Sequence, residues 1–185
     1  TALFNAYGNV MASSTFFTVL FSRILNKFDA FTARRNGMEM REFFKDITKI
    51  RYEGANSKNP LAFKFYDENR TVAGKTMREQ LKFAMSYWHT LNGEGMDMFG
   101  RASMDKSLGG GEPMEIFEKK AYAAFEIMDK LGMDYYCFHD RDIAPEGATL
   151  SESNTNLHTI AALLKKLQAQ HGKKLLWGTA KLFDH

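Results

Sequence analysis

The chain has 185 residues, of which 44% are hydrophobic and 25% charged, a composition that predicts one soluble globular domain with a hydrophobic core. A single cysteine, Cys137, excludes an internal disulfide, and no apolar run reaches the ~20 residues that span a bilayer, so we expect no membrane segment. The formal net charge of +3 arises within residues 1–37 and the remainder is neutral, so the basic balance does not indicate a nucleic-acid surface.

Residues 1–37 differ in composition from everything that follows. They begin with Thr1, contain Asp29 as their single acid, and include a mostly apolar run over residues 16–25. Acid-poor N-terminal segments can be organellar transit peptides, whereas a secretory signal would need a basic region before the apolar run. We expect residues 1–37 to be an extension unrelated to the body at 38–185, either packed on that body or derived from upstream sequence.

The first part of the body predicts short extended pieces and one capped helix. Residues 49–54 indicate a strand that enters a turn, and residues 61–66 indicate a second extended piece. Thr76 and Glu79 have the spacing of a capping box, which predicts a helix start. Residues 82–90 fit two patterns, a continued helical face and an alternating strand, and their periodicity alone slightly favours the helix.

A glycine-rich segment, residues 92–111, predicts a long loop. It lacks the Lys-Ser/Thr ending of a phosphate-binding loop, so a nucleotide site is a weak interpretation. Loops of this length in a compact domain are usually functional.

The second half of the chain alternates helices and strands. A helix is predicted from Pro113 to a stop at Gly132, followed by a strand over residues 134–138. A second helix is predicted over about residues 154–170, followed by a strand over residues 173–179. This order predicts an α/β fold with a parallel sheet and right-handed crossovers.

Polar residues follow the predicted strand at 134–138. His139 comes directly after Phe138, and Asp142 stands three residues later. A carboxylate at this spacing can fix the tautomer of an imidazole and keep it basic enough for proton transfer. A strand end capped by solvated charges explains the same pattern equally well.

Five longer motifs occur in order along the chain. They are Tyr52-Glu53-Gly54, Gly74-Lys75-Thr76-Met77, Tyr87-Trp88-His89-Thr90, the run from Phe138 to Gly147, and Leu176-Trp177-Gly178-Thr179-Ala180. Together they resemble the N-terminal part of xylose isomerase, in the longer-chain class of that family. The resemblance implies an incomplete (β/α)₈ TIM barrel, with the first three parallel strands and two intervening helices. It also implies that residues 82–90 are the first barrel strand, with only a short helix at Thr76.

The resemblance implies an enzyme, an intramolecular oxidoreductase that isomerises D-xylose to D-xylulose and D-glucose to D-fructose. In the family the sugar ring opens and a hydride shifts between C2 and C1, while two divalent ions, Mg²⁺, Mn²⁺ or Co²⁺, polarise the oxygens. We therefore expect a cytoplasmic protein whose partners are the sugar and further copies of the chain, a tetramer in the family, with no nucleic acid and no membrane.

The matching positions imply roles for individual residues. His139 resembles the histidine that binds the ring oxygen and assists ring opening, and Asp142 resembles the carboxylate that orients it. Trp88 and Trp177 resemble the aromatic walls of the sugar pocket, whereas without the resemblance ordinary core packing would be the favoured explanation of both tryptophans. Thr179 resembles a hydroxyl near the substrate.

Two positions depart from the family pattern. Phe99 resembles the loop phenylalanine that reaches the site of a neighbouring subunit, but Met98 stands where the family usually has Pro. This change puts the role of Phe99 in doubt. Lys181 stands where the family usually has Asn.

The family's metal ligands lie on later strands, and we expect none of them in this chain. A truncated or split isomerase without activity on its own is therefore the favoured interpretation. A non-catalytic remnant of the family that binds sugar or docks on another subunit stays open as an alternative. A third and weaker interpretation is a barrel enzyme that uses the His–Asp pair in metal-assisted hydrolysis.

Overall fold

The computed structural model describes residues 42–181 and two dipeptides before them, Leu3–Phe4 and Val10–Met11. These dipeptides form strands β1 and β2, which pair antiparallel. The predicted boundary between an extension, 1–37, and the body lies outside the described residues. No helix in the described part of the chain is both long enough and apolar enough to cross a membrane.

A parallel sheet of three strands is the centre of the fold. Strand β5 (Ala84–Ser86) pairs with β6 (Tyr135–His139), and β6 pairs with β7 (Lys174–Thr179). The register on the second pair shifts after Tyr136, so that Leu176 is an extra residue in β7. The predicted order of strands and helices is confirmed over this region. The sheet and its helices together form a partial α/β fold.

Two long helices provide the crossovers between the strands. Helix α2 (Pro113–Leu131) begins with a proline in its first turn and ends at Gly132, whose φ of 70° is the left-handed conformation that glycine adopts without strain. Helix α4 (Leu150–His171) follows strand β6 and a short helix, α3 (Asp140–Ile143). Both predicted helices are therefore confirmed.

The predicted start of the second helix was wrong by about one turn. The Thr149 hydroxyl accepts a hydrogen bond from the Glu152 backbone N–H at 3.2 Å, so the helix begins at Leu150. Leu150 is exposed, and the apolar face of the helix begins later along the chain. The start is therefore set by capping and not by burial.

The core lies between the sheet and helices α2 and α4, and the segment before the sheet adds Phe44, Ile47 and Ile50. Phe125 on this helix is 0% exposed and packs edge-on against Tyr136 of β6, with ring centroids 5.4 Å apart. Small residues beside it, Ala123 and Ala124, allow the helix to approach the sheet closely. The Cys137 thiol is buried as predicted, and burial raises its pKa to about 11, so the sulfur stays protonated.

The segment before the sheet has less regular structure than predicted. Residues 49–54 and 61–66 form no strands, and Tyr52 and Phe63 make only an isolated parallel bridge. Gly54, with a φ of 84°, turns the chain after this bridge. The short hairpin of β3 (Thr71–Val72) and β4 (Lys75–Thr76) then leads into α1 (Met77–Gln80). The predicted Thr76–Glu79 capping box is confirmed.

Residues 82–90 form neither one helix nor one strand. Strand β5 covers only Ala84–Ser86, and a π-helical turn over Trp88–Asn92 follows it. The predicted strand up to Thr90 was therefore wrong beyond Ser86. The sequence carried both periodicities because the backbone changes from extended to helical at Tyr87.

Candidate functional site

The carboxyl ends of the three parallel strands meet at one edge of the sheet. His139 at the end of β6 is in register with Thr179 at the end of β7, and Ser86 at the end of β5 is in register with Cys137. Polar and aromatic residues that follow parallel strands are brought together at such an edge. Thr179 is exposed there, at the place predicted for a substrate hydroxyl contact.

Three aromatic rings form a cluster at this edge. The ring of His139 lies 4.9 Å from that of Trp88 and 5.5 Å from that of Trp177, measured between centroids. The two indoles lie 5.4 Å apart and are inclined by 33°. All three side chains are partly buried, so each keeps an accessible surface. The predicted imidazole and aromatic walls are thus adjacent.

His139 and Asp142 form a hydrogen-bonded pair. Asp142 Oδ2 lies 2.8 Å from His139 Nδ1 and accepts the His139 backbone N–H at 2.7 Å. The backbone bond arises because His139 directly precedes helix α3 and Asp142 is the third residue of that helix, the position from which an acid accepts the backbone N–H of the cap residue. The Asp142 side chain is 4% exposed and the His139 side chain 27%.

This pairing decides which nitrogen of a neutral His139 carries the proton. A carboxylate can only accept, so Nδ1 must donate to Asp142 and Nε2 is left as an acceptor. The arrangement can take up a proton at Nε2 while the buried carboxylate stabilises the resulting imidazolium. His139 and Asp142 are therefore in direct contact, and the solvated-cap interpretation does not fit a buried Asp142.

A second polar side chain, which sequence reasoning missed, contacts Asp142. Asn92 ends the π-helical turn, and its Nδ2 donates to the Asp142 carbonyl oxygen at 2.9 Å and to Oδ1 at 3.4 Å. Lys120 of helix α2 in turn donates from Nζ to Asn92 Oδ1 at 2.8 Å. A signal for Lys120 existed in the sequence, because it lies three residues after Phe117 on the apolar face of its helix.

Lys120 is buried, and its electrostatic surroundings are mixed. Burial lowers the pKa of Lys120, while the carboxylates of Glu94, Asp105 and Asp142 act in the opposite direction. Lys106, from the glycine-rich loop, is also buried, and burial together with the nearby Lys120 charge lowers its pKa.

Lys106 contacts the same π-helical turn that carries Asn92. Its Nζ donates to the Thr90 carbonyl oxygen at 3.3 Å. The long loop thus holds the turn that carries Trp88.

Asp140 connects the segments that follow strands β6 and β7. Asp140 Oδ1 accepts the backbone N–H of Arg141 at 2.8 Å and that of Lys181 at 2.9 Å. The chain after β7 is thereby fixed against the segment that carries His139. Since Lys181 uses its backbone here, this contact does not depend on the side chain at that position.

Phe99 is not part of the cluster. It is 79% exposed on the glycine-rich loop, where Asp97 Oδ1 accepts its backbone N–H at 2.8 Å. Met96 and Met98 beside it are exposed as well. The structure therefore separates Phe99 from the predicted sugar-contacting residues within this chain.

The described residues do not fit a two-metal site. Among residues 42–181 there is no group of three or more His, Cys, Asp or Glu side chains that could hold a metal ion. The buried acid Asp142 already accepts the His139 donors and an Asn92 amide.

Three curated proteins show what this chain is similar to. The xylose isomerase of Thermoanaerobacterium saccharolyticum is 47% identical over 147 residues, which cover 79% of this chain and 34% of the relative. That of Caldanaerobacter subterraneus subsp. yonseiensis is 48% identical over 145 residues, 78% of this chain and 33% of the relative. That of Actinobacillus pleuropneumoniae serotype 5b is 51% identical over 147 residues, 79% of this chain and 34% of the relative. The chain thus spans about a third of the length of these relatives. No protein-family model matches it.

Proposed function

Because about four fifths of this chain is homologous to part of xylose isomerase, we propose that its site is the sugar-binding and ring-opening portion of an aldose–ketose isomerase. The reaction is D-xylose to D-xylulose and D-glucose to D-fructose. The observation that carries the proposal is the contact of the His139 imidazole with Trp88 on one side and with Asp142 on the other.

His139 opens the sugar ring by moving one proton. Its Nε2 takes the proton of the anomeric hydroxyl and returns it to the ring oxygen as the bond between C1 and that oxygen breaks, so the histidine ends in its starting state. Asp142 stabilises the imidazolium formed in between, because its Oδ2 accepts from Nδ1.

Trp88 and Trp177 bind the apolar C–H face of the sugar. Indole surfaces provide stacking area at this edge, and a small number of polar groups fix the orientation of the hydroxyls. Thr179 supplies one of these groups, an assignment supported by the register of its backbone with that of His139.

In the family the hydride shift depends on two divalent ions. The described residues offer no ligand set for such ions. We propose that the ligands are supplied by the portion of a xylose isomerase that this chain does not match, in a cytoplasmic oligomer.

Sugar binding can be measured directly, because the chain has only two tryptophans and both lie in the cluster. We expect D-xylose to change the intrinsic fluorescence in a saturable manner. Trp88→Phe and Trp177→Phe should each weaken binding, because each removes indole stacking area. Trehalose, a disaccharide whose anomeric carbons are both blocked, is the control ligand. An emission that does not respond to D-xylose would contradict the proposal.

Isomerisation needs a second component in the assay. We expect no xylulose from the purified chain with Mg²⁺ and D-xylose, but turnover after addition of the complementary two thirds of the Thermoanaerobacterium saccharolyticum enzyme. His139→Ala should abolish that turnover. Sugar binding without turnover in the mixture would favour the non-catalytic remnant. Turnover that survives His139→Ala would exclude the ring-opening role of this histidine.

A further inference from the structure

We propose that Lys120 is a positioning residue. It acts through Asn92 to hold the Asp142 carboxylate in place, and this carboxylate selects the tautomer of His139 that is protonated on Nδ1. The inference deepens the ring-opening function proposed above and rests on it for its catalytic meaning. Its evidence is a continuous set of hydrogen bonds from helix α2 to the imidazole, which we call the Lys120 relay: Lys120, Asn92, Asp142 and His139.

The first contact fixes the orientation of the Asn92 amide. A lysine ammonium can only donate, so the atom of Asn92 that lies 2.8 Å from Lys120 Nζ must be the oxygen. The NH₂ group is therefore on the other side, where it donates to the carbonyl oxygen of Asp142. Without the ammonium, Asn92 Oδ1 would lose its donor, and the amide could rotate away from Asp142 to find another one.

The second contact holds the Asp142 carboxylate. Asn92 Nδ2 lies 3.4 Å from Oδ1, while Oδ2 accepts both donors of His139. Each oxygen of the carboxylate thus faces a donor from a different element. Rotation of the carboxylate would break the bond to His139 Nδ1, which is the bond that selects the Nδ1–H tautomer.

Burial of the Lys120 ammonium costs free energy unless hydrogen bonds and nearby charges compensate for it. The residue is buried on the helix face that packs towards the sheet, and its Nζ also lies 5.0 Å from the centre of the Phe117 ring. A methionine would fill similar space without an ionic group, so packing alone does not require a lysine. The charged groups around it are Glu94, Asp105 and Lys106 from the loop and Asp142 from helix α3.

Nuclear magnetic resonance of the full chain labelled with ¹⁵N-histidine measures the tautomer without any sugar. His139→Gln assigns the imidazole signals. In the wild type we expect well-separated nitrogen shifts, the signature of one neutral tautomer. In Lys120→Met we expect the two nitrogen shifts to move towards each other, because two tautomers exchange. Lys120→Arg should restore the wild-type separation, since a guanidinium also donates to Asn92.

Two further variants separate the relay from general effects. Lys119→Met removes a lysine from the same helix whose Nζ contacts Gly110 and Glu115, outside the relay, so the His139 signals should not change. Asn92→Ala should reproduce the effect of Lys120→Met, and it decides the question if Lys120→Met does not fold.

Unchanged His139 shifts in folded Lys120→Met or Asn92→Ala protein would overturn the relay. A narrowed separation of the His139 nitrogen shifts in Lys119→Met would also overturn the relay, because the response would then reflect charge or folding in general. Two results can also disagree. If Lys120→Met narrows the separation of the His139 shifts but D-xylose does not change the fluorescence of the wild type, the relay stands and the proposed function is refuted.

Discussion

Asp142→Asn gives the sharpest test of the pair at the centre of the site. Asp142 Oδ2 accepts hydrogen bonds from His139 N at 2.7 Å and from His139 Nδ1 at 2.8 Å, in a side chain that is 4% exposed. The amide keeps the shape and removes the charge. Bonds to a charged acceptor contribute about 1.5–3 kcal/mol each and neutral ones about 1 kcal/mol.

The expected loss of unfolding free energy is therefore about 2 kcal/mol for the two bonds together, since His139 itself is partly exposed. The buried ammonium of Lys120 would lose a carboxylate in its surroundings, which acts in the same direction. With a urea dependence of about 2 kcal/mol per molar, the midpoint of unfolding should fall by about 1 M.

The control is Asp67→Asn, whose carboxylate accepts the Asn69 backbone N–H at 3.0 Å at an exposed position. An amide oxygen can accept the same bond, so its midpoint should move by less than about 0.25 M. A midpoint for Asp142→Asn that stays within the range of this control would refute the reasoning that the charge of Asp142 anchors His139.

Three further changes test the fold around the site. Phe125→Ala should lower the free energy of unfolding by about 3–5 kcal/mol in urea titrations, because the ring is 0% exposed and leaves a cavity beside β6. Gly147→Ala should cost about 1–3 kcal/mol and lower the melting temperature, because a Cβ there would stand 2.5 Å from a side-chain carbon at the start of helix α4. Although burial raises the pKa of Asp129, hydrogen bonds and charge from Lys173 and His171 lower it below 3.8 overall. Its stabilising contribution is therefore present above pH ~4 and lost as the pH falls through the lowered pKa, so Asp129→Asn should destabilise the chain by up to about 1 kcal/mol at neutral pH and make no difference in strong acid, in parallel urea titrations.

The local sequence signals determined the long elements of this fold. Pro113 and Gly132 mark a helix by backbone geometry alone, since one fixes φ at the start and the other adopts a φ of 70° at the end. The strand before His139 was also predictable from a local signal, the short apolar run that ends at Phe138. The start of helix α4 was harder to predict, because the Thr149 cap lies about three turns before Ile160, the first buried residue of the helix.

The hydrogen-bonded pair of His139 and Asp142 was predictable from spacing, whereas the residues that hold it were not. His139 and Asp142 are three positions apart, so their contact is formed within one helical turn. Asn92 and Asp142 are 50 positions apart, and Lys120 and Asn92 are 28 positions apart. These contacts depend on how the loop and helix α2 pack, which single-sequence periodicity does not describe.

The π-helical turn explains why the strand prediction failed beside the candidate site. A turn of this kind closes over about five residues, so Trp88 at its start and Asn92 at its end lie about one turn apart. Trp88 contacts the His139 imidazole, and Asn92 contacts Asp142, the acid that is hydrogen-bonded to this imidazole. Gly93 follows closely, and a Cβ there would stand 3.2 Å from the Trp88 carbonyl oxygen.

One local departure from strand geometry therefore links both sides of the site. If residues 88–92 had continued as a strand, successive side chains would have pointed to opposite faces of the sheet, and Asn92 would have extended beyond Asp142. Lys106 holds the Thr90 carbonyl oxygen inside the turn, and Lys120 holds its last side chain. A change in the glycine-rich loop can thus reach both Trp88 and the His139–Asp142 pair through the residues of this turn.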